Sequence, residues 1–360
     1  MDEEVLARAS LGALPSLSRA SARRLLESLG ARGVLGASAA TLRRSLPPPT
    51  AAALAHALAS GAGERALASA AARGIRALAP GSAEFPAALR EIPDPPLLVW
   101  VRGALPGGPA LAIVGSRRAS ARGLATARAF ADELARAGVA IVSGLAYGID
   151  AAAHEGALAG QGRTVAVLAS GLLQVTPKGQ ERLAQRMLEG GGAWLSERSP
   201  DEDVRPYHFP ERNRLISGLA RATLIVEARE QSGSLWSARH ALEQGRDVLV
   251  VPGPIDTDLC RGSNRLLREG ATPILDARDL AEAVLGALAQ PLALAPPPPA
   301  ADSPAARAVL AHLADGPCEL DLLARALGRA PADLARVLLE LELDGRLRRE
   351  GARLALARPG

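Results

Sequence analysis

The sequence predicts an open, doubly wound parallel α/β sheet in its middle, with a small helical domain before it and a second small domain after it. Three observations predict this. Five short apolar runs recur: "LAIV" (111–114), "VAIV" (139–142), "TVAVL" (164–168), "TLIV" (223–226) and "DVLVV" (247–251). Helix-length segments separate them, the alternation of a parallel sheet with crossover helices. The runs are continuous rather than alternating, as in strands covered on both faces.

The elements follow in order. Residues 1–62 read as short helices, Val5–Leu14, Ser18–Gly30, Ala39–Leu46 and Thr50–Ser60. Ser18 and Thr50 are candidate caps, and "PPP" (47–49) is a break. Such a domain is of a degenerate helix-hairpin-helix or SAM-like kind. Residues 63–109 connect it to the core and include the extended "PPLLVWVRG" (95–103). Residues 110–290 form the Rossmann-like core. There the segment 122–137 puts Leu124, Ala127, Ala131 and Leu134 on one stripe, suited to lie on the sheet. Residues 291–303 are a stiff Pro/Ala linker. Three helical patterns then follow, 304–314, 319–327 and 331–343, before "GRLRREGARLALA", which reads as a hairpin. Three helices and a wing define a winged-helix domain over 304–360. Pro331 suits a first turn, with Leu334, Val337, Leu338 and Leu341 as the buried stripe.

With 360 residues the chain is long enough for two or three domains. Apolar residues make up 48% and aromatics only 2%, so the core must be mostly Ala, Leu and Val. The net charge is +4, and Lys178 is the sole lysine. A GC-rich genome accounts for the Arg and Ala content but not for where that lysine falls. No apolar run approaches the ~18 residues of a membrane span, and "MDEEV" lacks the basic start of a signal peptide. Cys260 and Cys318 have no metal-type spacing. The expectation is a cytoplasmic protein with no metal and no cofactor.

In open α/β sheets, ligands bind beyond the carboxyl ends of the strands. The segments there are "GSRRASARG", "SGLAYGID", "ASGLLQVTPKGQ", "EAREQSGSLWSA" and "PGPIDTDLCRGSN". Each combines Gly with Ser, Arg or Lys. Glycine lets backbone N–H groups approach an anion, and each following helix N-terminus adds partial positive charge. The candidate contacts are Gly115, Ser116, Arg117, Arg118, Ser120, Ser143, Gly144, Gly171, Lys178, Ser232, Gly233 and Ser234. A single glycine at such a junction is needed simply to turn the chain. Five loops at one sheet edge point to a polyanion or nucleotide site. The chain has eight aromatic residues, and Tyr147, Tyr207, Phe209 and Trp236 fall in or beside these loops. Rings beside Arg suit a single-stranded nucleic acid, with bases on rings and phosphates on cations. Phe209 reads equally as burial under its loop, and Trp236 as core.

The motifs "AIVGSRRAS", "SGLAYGIDAAAH", "HFPERNRLISGLARATLIVEA", "SGSLWSARHALEQGRDVLVVPGP" and "RGSNRLLREGA" resemble, in order and spacing, the DNA-processing protein A (DprA/Smf) family, over about residues 80–290. The flanking domains match in type. The resemblance implies a dimeric protein without established catalytic activity. It would bind incoming single-stranded DNA during natural transformation, protect it and load the recombinase RecA on it. It also implies that Arg117 and Lys178 stand at DNA-contacting positions, and that "RNRLISGL" belongs to the DNA pocket, shared by Arg117 and Arg214. Arg212 and Arg214 either meet phosphates there or pin the loop through Glu211 or Glu227. Asn213 either reads a base edge or ties two loops. The family's third loop resembles "GLDxxYPxxN", whereas this chain has "GLLQVTPKGQ", with Leu173, Thr176 and Gln180 at the Asp, Tyr and Asn positions. A ring and two polar anchors are absent there. Trp236 stands where a smaller aliphatic residue is usual. "LPSLSRASARRLLE" lacks the glycine-bearing hairpin of a helix-hairpin-helix motif.

Two other classes compete. A nucleotide-hydrolysing Rossmann-like enzyme would use a "PGGxGT" loop with a nearby Glu, but here the loop reads "EQSGSLWSA" with no paired carboxylates. Asp150 and His154 read as a helix cap and a packed histidine. A winged-helix DNA-binding regulator would need a basic third helix. Residues 304–360 carry nine Arg against eight acidic residues, and Asp333, Glu340, Glu342 and Asp344 outnumber Arg336. That face would repel phosphate.

Overall fold

The computed structural model describes residues 2–286, 304–314, 316–343, 346–350 and 353–356. The chain divides into two units, Met1–Leu292 and Ala293–Gly360. The linker read at 291–303 lies outside the described residues.

The first unit opens with helices α1 (Glu3–Gly12), α2 (Arg19–Leu35), α3 (Ala39–Leu42), α4 (Pro48–Ala59) and α5 (Ala62–Ala71). Ser18 caps α2 by accepting from the Ser21 N–H, as its sequence position suggests. Thr50 caps nothing: prolines start α4 two residues earlier, and Thr50 falls inside its first turn. Leu11, Leu25, Val34, Leu42 and Leu54 form the apolar centre of these helices.

The chain continues through β1 (Ile75–Leu78), α6 (Ala87–Arg90), β2 (Val99–Gly103), β3 (Ala110–Val114), α7 (Ala121–Arg136), β4 (Ala140–Ser143), α8 (Ile149–Ala159) and β5 (Thr164–Val167). After these come α9 (Glu181–Glu189), β6 (Ala193–Ser196), α10 (His208–Leu219), β7 (Ala222–Ile225), α11 (Ser234–Glu243) and β8 (Asp247–Val250). A 3-10 turn (Asp258–Cys260), α12 (Arg261–Arg268), β9 (Thr272–Pro273) and α13 (Ala277–Leu285) complete the unit. The nine strands run β1-β2-β6-β5-β4-β3-β7-β8-β9. From β6 to β9 all pairings are parallel, and β1 and β2 add an antiparallel edge. This is the doubly wound α/β sheet the sequence predicts. Strands β1, β6 and β9 had no signal of their own.

Alternate residues of β3 enter opposite cores, as the two-residue period of a strand requires. Ala110, Ala112 and Val114 meet Leu215 and Ile216 of α10 and Ala238 and Ala241 of α11. Leu111 and Ile113 meet Ala127, Ala131 and Leu134 of α7, with Ile149 of α8 and Leu280 of α13. Small side chains let α7 and α8 approach closely.

In the second unit, α14 (Pro304–Leu313), β10 (Cys318–Glu319), α15 (Leu320–Leu327) and α16 (Pro331–Leu343) precede the hairpin β11 (Leu347–Glu350) and β12 (Arg353–Leu356). The sheet order is β10-β12-β11, all antiparallel, which is a winged helix. Val309, Leu323, Leu334, Leu338, Leu341 and Leu354 fill its core.

The helix approach in the first unit is testable. A Cβ at Gly156 would sit 2.2 Å from the Arg128 carbonyl oxygen, a backbone atom that cannot swing away. Gly156→Ala should therefore destabilise by about 1–3 kcal/mol. A melting temperature equal to the parent's would show that α7 and α8 are not in close contact at Gly156.

Candidate functional site

Strand order reverses between β3 and β7. Successive crossovers lead from β3 through β4 and β5 to β6 on one side, and from β7 to β8 and β9 on the other. The loops leaving β3 and β7 therefore diverge, and a cleft of about 630 Å³ opens between them. Its walls are the segment Gly115–Arg118, the first turns of α10 and the loop from Arg229 to Trp236.

Glu227 fixes the first wall. Its carboxylate accepts from the Ser120 N–H at 2.9 Å and from the Ser120 hydroxyl, and its carbonyl accepts from the Ser116 N–H at 2.7 Å. Ser116 Oγ accepts from the Arg118 N–H at 3.1 Å. The Gly148 backbone lies close behind: a Cβ there would sit 2.2 Å from the Ser116 carbonyl oxygen, and its φ is +82°. The loop is thus held rigidly while Arg117 and Arg118 remain exposed. The Arg117 guanidinium lies 4.9 Å from the centre of the Phe209 ring. Ser120 caps α7 by accepting from the Gly123 N–H at 3.0 Å.

The floor is a buried clamp. Arg212 donates from Nη1 to the Gly144 carbonyl at 2.8 Å and to the Val167 carbonyl. Burial pulls its guanidinium down to about 10; Asp150 supports the charge and Arg117 opposes it. The Asp150 carboxylate accepts from the N–H groups of Gly144 at 3.0 Å and Ala146 at 3.3 Å. Burial pushes its pKa up, while Arg212 and these N–H groups pull it back. Asp150 therefore holds the loop after β4 rather than capping α8, which is a correction to the sequence reading. Asn213 Nδ2 donates to the Gly233 carbonyl at 3.1 Å, so it ties two loops, and Ser232 and Ser234 hydrogen-bond each other at 2.7 Å.

The structure brings Gly115, Ser116, Arg117, Arg118, Phe209, Arg212, Asn213, Ser232, Gly233 and Ser234 to the cleft. It does not bring the others. Ser143 is buried and donates to the Ile113 carbonyl at 2.6 Å. Gly144 lies against the Arg212 guanidinium, and Gly171 against the Ser199 carbonyl, where no Cβ would fit. Lys178 is exposed on the loop after β5, whose backbone accepts the Tyr147 hydroxyl. Arg214 points away from the cleft. It is 4% exposed and paired with Glu197 at 2.5 Å and Asp94 at 3.3 Å. The expectation that Arg117 and Arg214 share one pocket is therefore wrong, and so is pairing through Glu211 or Glu227. Glu211 instead meets Arg19 and Arg198. Sequence reading missed Arg229 as a cleft cation, although "EAR" directly follows a strand it had placed.

Two kinds of arginine result. Arg117, Arg118 and Arg229 are exposed with no ion-pair partner among the described residues, whereas Arg19, Arg23, Arg198 and Arg214 are all paired. Among the described residues, no group of three or more His, Cys, Asp or Glu could hold a metal, and no helix is long and apolar enough to cross a membrane.

Fold and site together define a Rossmann-like α/β protein with a basic, glycine-walled cleft at its topological switch point and a winged helix following. The chain belongs to the DNA-processing protein A family: residues 76–285 match the DNA recombination-mediator protein A family, and residues 293–353 match the DprA winged helix domain. It is 40% identical to Protein Smf of Escherichia coli over 279 residues, covering 74% of each chain. It is 38% identical to DNA processing protein DprA of Bacillus subtilis over 213 residues, 58% of this chain and 71% of that one. The solved structure of DprA from Streptococcus pneumoniae aligns with a TM-score of 0.68 at 29% identity, covering 79% of this chain and 98% of that one. A Helicobacter pylori structure, described as showing the single-stranded DNA binding mode of DNA processing protein A, aligns with a TM-score of 0.52 at 29% identity. It covers 57% of this chain and 93% of that one.

Removing Arg212 leaves Asp150 buried without its countercharge, so Arg212→Ala should destabilise by about 3–5 kcal/mol in denaturant unfolding, whereas exposed Arg117→Ala should change little. A second outcome concerns pH. His154 is fully buried, its Nδ1 is hydrogen-bonded to the Thr164 hydroxyl at 2.6 Å, and its pKa is lowered from 6.5 to about 3, chiefly by burial. The unfolded chain then binds more protons between those values, so stability should fall as pH drops from about 6.5 towards 3. His154→Asn should shallow that slope; His208, lowered to about 4, supplies the same sign and remains.

Proposed function

We propose that the cleft binds single-stranded DNA, that the protein protects such DNA in the cytoplasm, and that it presents the strand to a RecA-type recombinase during natural transformation, acting as a homodimer and by binding rather than catalysis. The observation that carries this is the set of three exposed, unpaired arginines, Arg117, Arg118 and Arg229, on glycine-rich walls at the switch point. Unpaired cations cost little to bring onto phosphates, because no existing ion pair must break. The Phe209 ring beside Arg117 and the half-exposed Tyr147 offer surfaces to unstacked bases. The relatives named DNA processing protein, and the Helicobacter pylori structure described by its single-stranded DNA binding mode, support the same ligand. Binding rather than chemistry is supported by Asp150. Among the described residues it is the one carboxylate lining the cleft, and its Oδ2 is already committed to two backbone N–H groups while Arg212 faces it as countercharge.

Titration with labelled oligo-dT, competed with duplex of equal length, tests this reading. The single strand should bind more tightly, since a rigid duplex cannot unstack onto rings. Equal affinities would overturn the proposal. Arg117→Ala should bind oligo-dT severely less while keeping the parent's melting temperature. Lys178→Ala should remove one phosphate contact and reduce the slope of log affinity against log salt by ~0.7. An unchanged slope would assign Lys178 to the solvated surface.

A further inference from the structure

A second hollow, about 290 Å³, adjoins the cleft and shares Pro210 and Trp236 with it. Ile92, Pro93, Asp94 and Glu211 complete much of its wall. Trp236 is 45% exposed, whereas Trp100 and Trp194 are buried. The Arg239 guanidinium and the His240 ring flank the Trp236 ring at 5.6 and 6.5 Å. An indole exposed at the junction of two hollows is not core, and its packing explains neither its size nor its position.

The two hollows differ in charge. The cleft presents unpaired arginines. In the second hollow the cations are occupied: Arg214 is buried and paired with Glu197, and Arg19, its side chain 27% exposed, is paired with Asp94. The carboxylates are paired as well, Asp94 with Arg19, Arg23 and Arg214, Glu211 with Arg19 and Arg198, and Glu243 with Arg239, but their side chains stay more open, at 42% for Asp94, 37% for Glu211 and 50% for Glu243. What this hollow shows to a ligand is a flat apolar ring, two prolines and hydrogen-bond acceptors. Among the described residues the hollow therefore offers a phosphate no unpaired cation, whereas a neutral ring bearing N–H donors finds open acceptor oxygens. The volume is below the ~300 Å³ at which drug-sized sites begin, so it suits a single ring system.

We propose that this hollow is a base-binding subsite: one unstacked base of the strand whose phosphates lie in the cleft stacks on Trp236, and bases with an exocyclic amino group are favoured over thymine. Cytosine and adenine offer an exocyclic amino group to the carboxylates; thymine has a carbonyl oxygen and a methyl group at that edge, and its single donor, N3–H, lies between two carbonyl oxygens that carboxylates repel. This inference rests on the cleft holding single-stranded DNA. It gives the chain a stacking ring beside the cleft, where the loop 171–180 lacks one.

The test uses the full chain with oligo-dC and oligo-dT of equal length, read by affinity and by tryptophan fluorescence. The parent should bind oligo-dC more tightly, with strong quenching, because Trp236 is the exposed indole and Trp100 and Trp194 are sheltered. Trp236→Leu should lose about five-fold or more of its oligo-dC affinity, narrow the difference between the two oligonucleotides and lose most of the quenching. Trp236→Phe should keep the preference for oligo-dC. Unchanged parent fluorescence at saturating oligo-dC, or a Trp236→Leu variant with the parent's affinities, would overturn the subsite. An equal loss with both oligonucleotides would overturn the base preference. If the subsite fails while Arg117→Ala still abolishes binding, the cleft reading stands. If the parent binds neither oligonucleotide, the cleft reading falls and takes the subsite with it.

Discussion

The buried Arg212 guanidinium is the constraint on which the cleft depends. It ties α10 to the carbonyls ending β4 and β5, while Asp150, facing it, holds the N–H groups of the loop between β4 and α8. The loops leaving the paired strands β3 and β7 diverge at the switch point, and nothing in the sheet's own hydrogen bonding closes the gap beyond the strand ends. A charge pulled out of water is costly unless several acceptors meet it. That cost is why the strand ends stay at fixed distances from α10: any loosening would strand a buried charge. Gly144 belongs to the same device, because only a residue without a Cβ lets the guanidinium lie against its backbone.

With that floor in place, arginines divide by what surrounds them. On the flank facing the N-terminal helices, Arg19, Arg23, Arg198 and Arg214 interleave with Asp94, Glu197 and Glu211 and act as mortar between α2, α10 and the loop after β6. In the cleft, Glu227 is consumed by Ser120 and the backbone, so it offers nothing to Arg117, Arg118 or Arg229. The positive field there is left for a ligand. A modest net charge of +4 thus hides a strongly uneven distribution, and the local surplus matters more than the total.

The central strands were legible because a strand covered on both faces must be apolar at every position, and such runs stand out. Strand β6 escaped because "AWLS" holds no β-branched residue and ends in Ser196, which is buried but donates to the Ser170 carbonyl. Strands β1 and β9 are short edge pieces whose pairing partners, not their composition, make them strands. The glycine loops were legible too, since close backbone approach leaves a residue type as its trace. The roles within "RNR" were not, because three adjacent polar residues on one helix point in three directions. Arg212 enters the floor, Asn213 crosses to the facing loop and Arg214 turns to the acidic flank.

The sequence by itself therefore determined the α/β class, the family, and which loops gather at one sheet edge, because apolar period and glycine placement are local and survive without coordinates. Only the tertiary structure decided which arginines are free and which are spent. Pairing depends on carboxylates far away in sequence: Asp94 and Glu197 reach Arg214 across long intervals of chain, and Glu227 is drawn off by Ser120. A charge becomes available to a ligand through the absence of a neighbour, and that is a property of the folded arrangement, not of the residue.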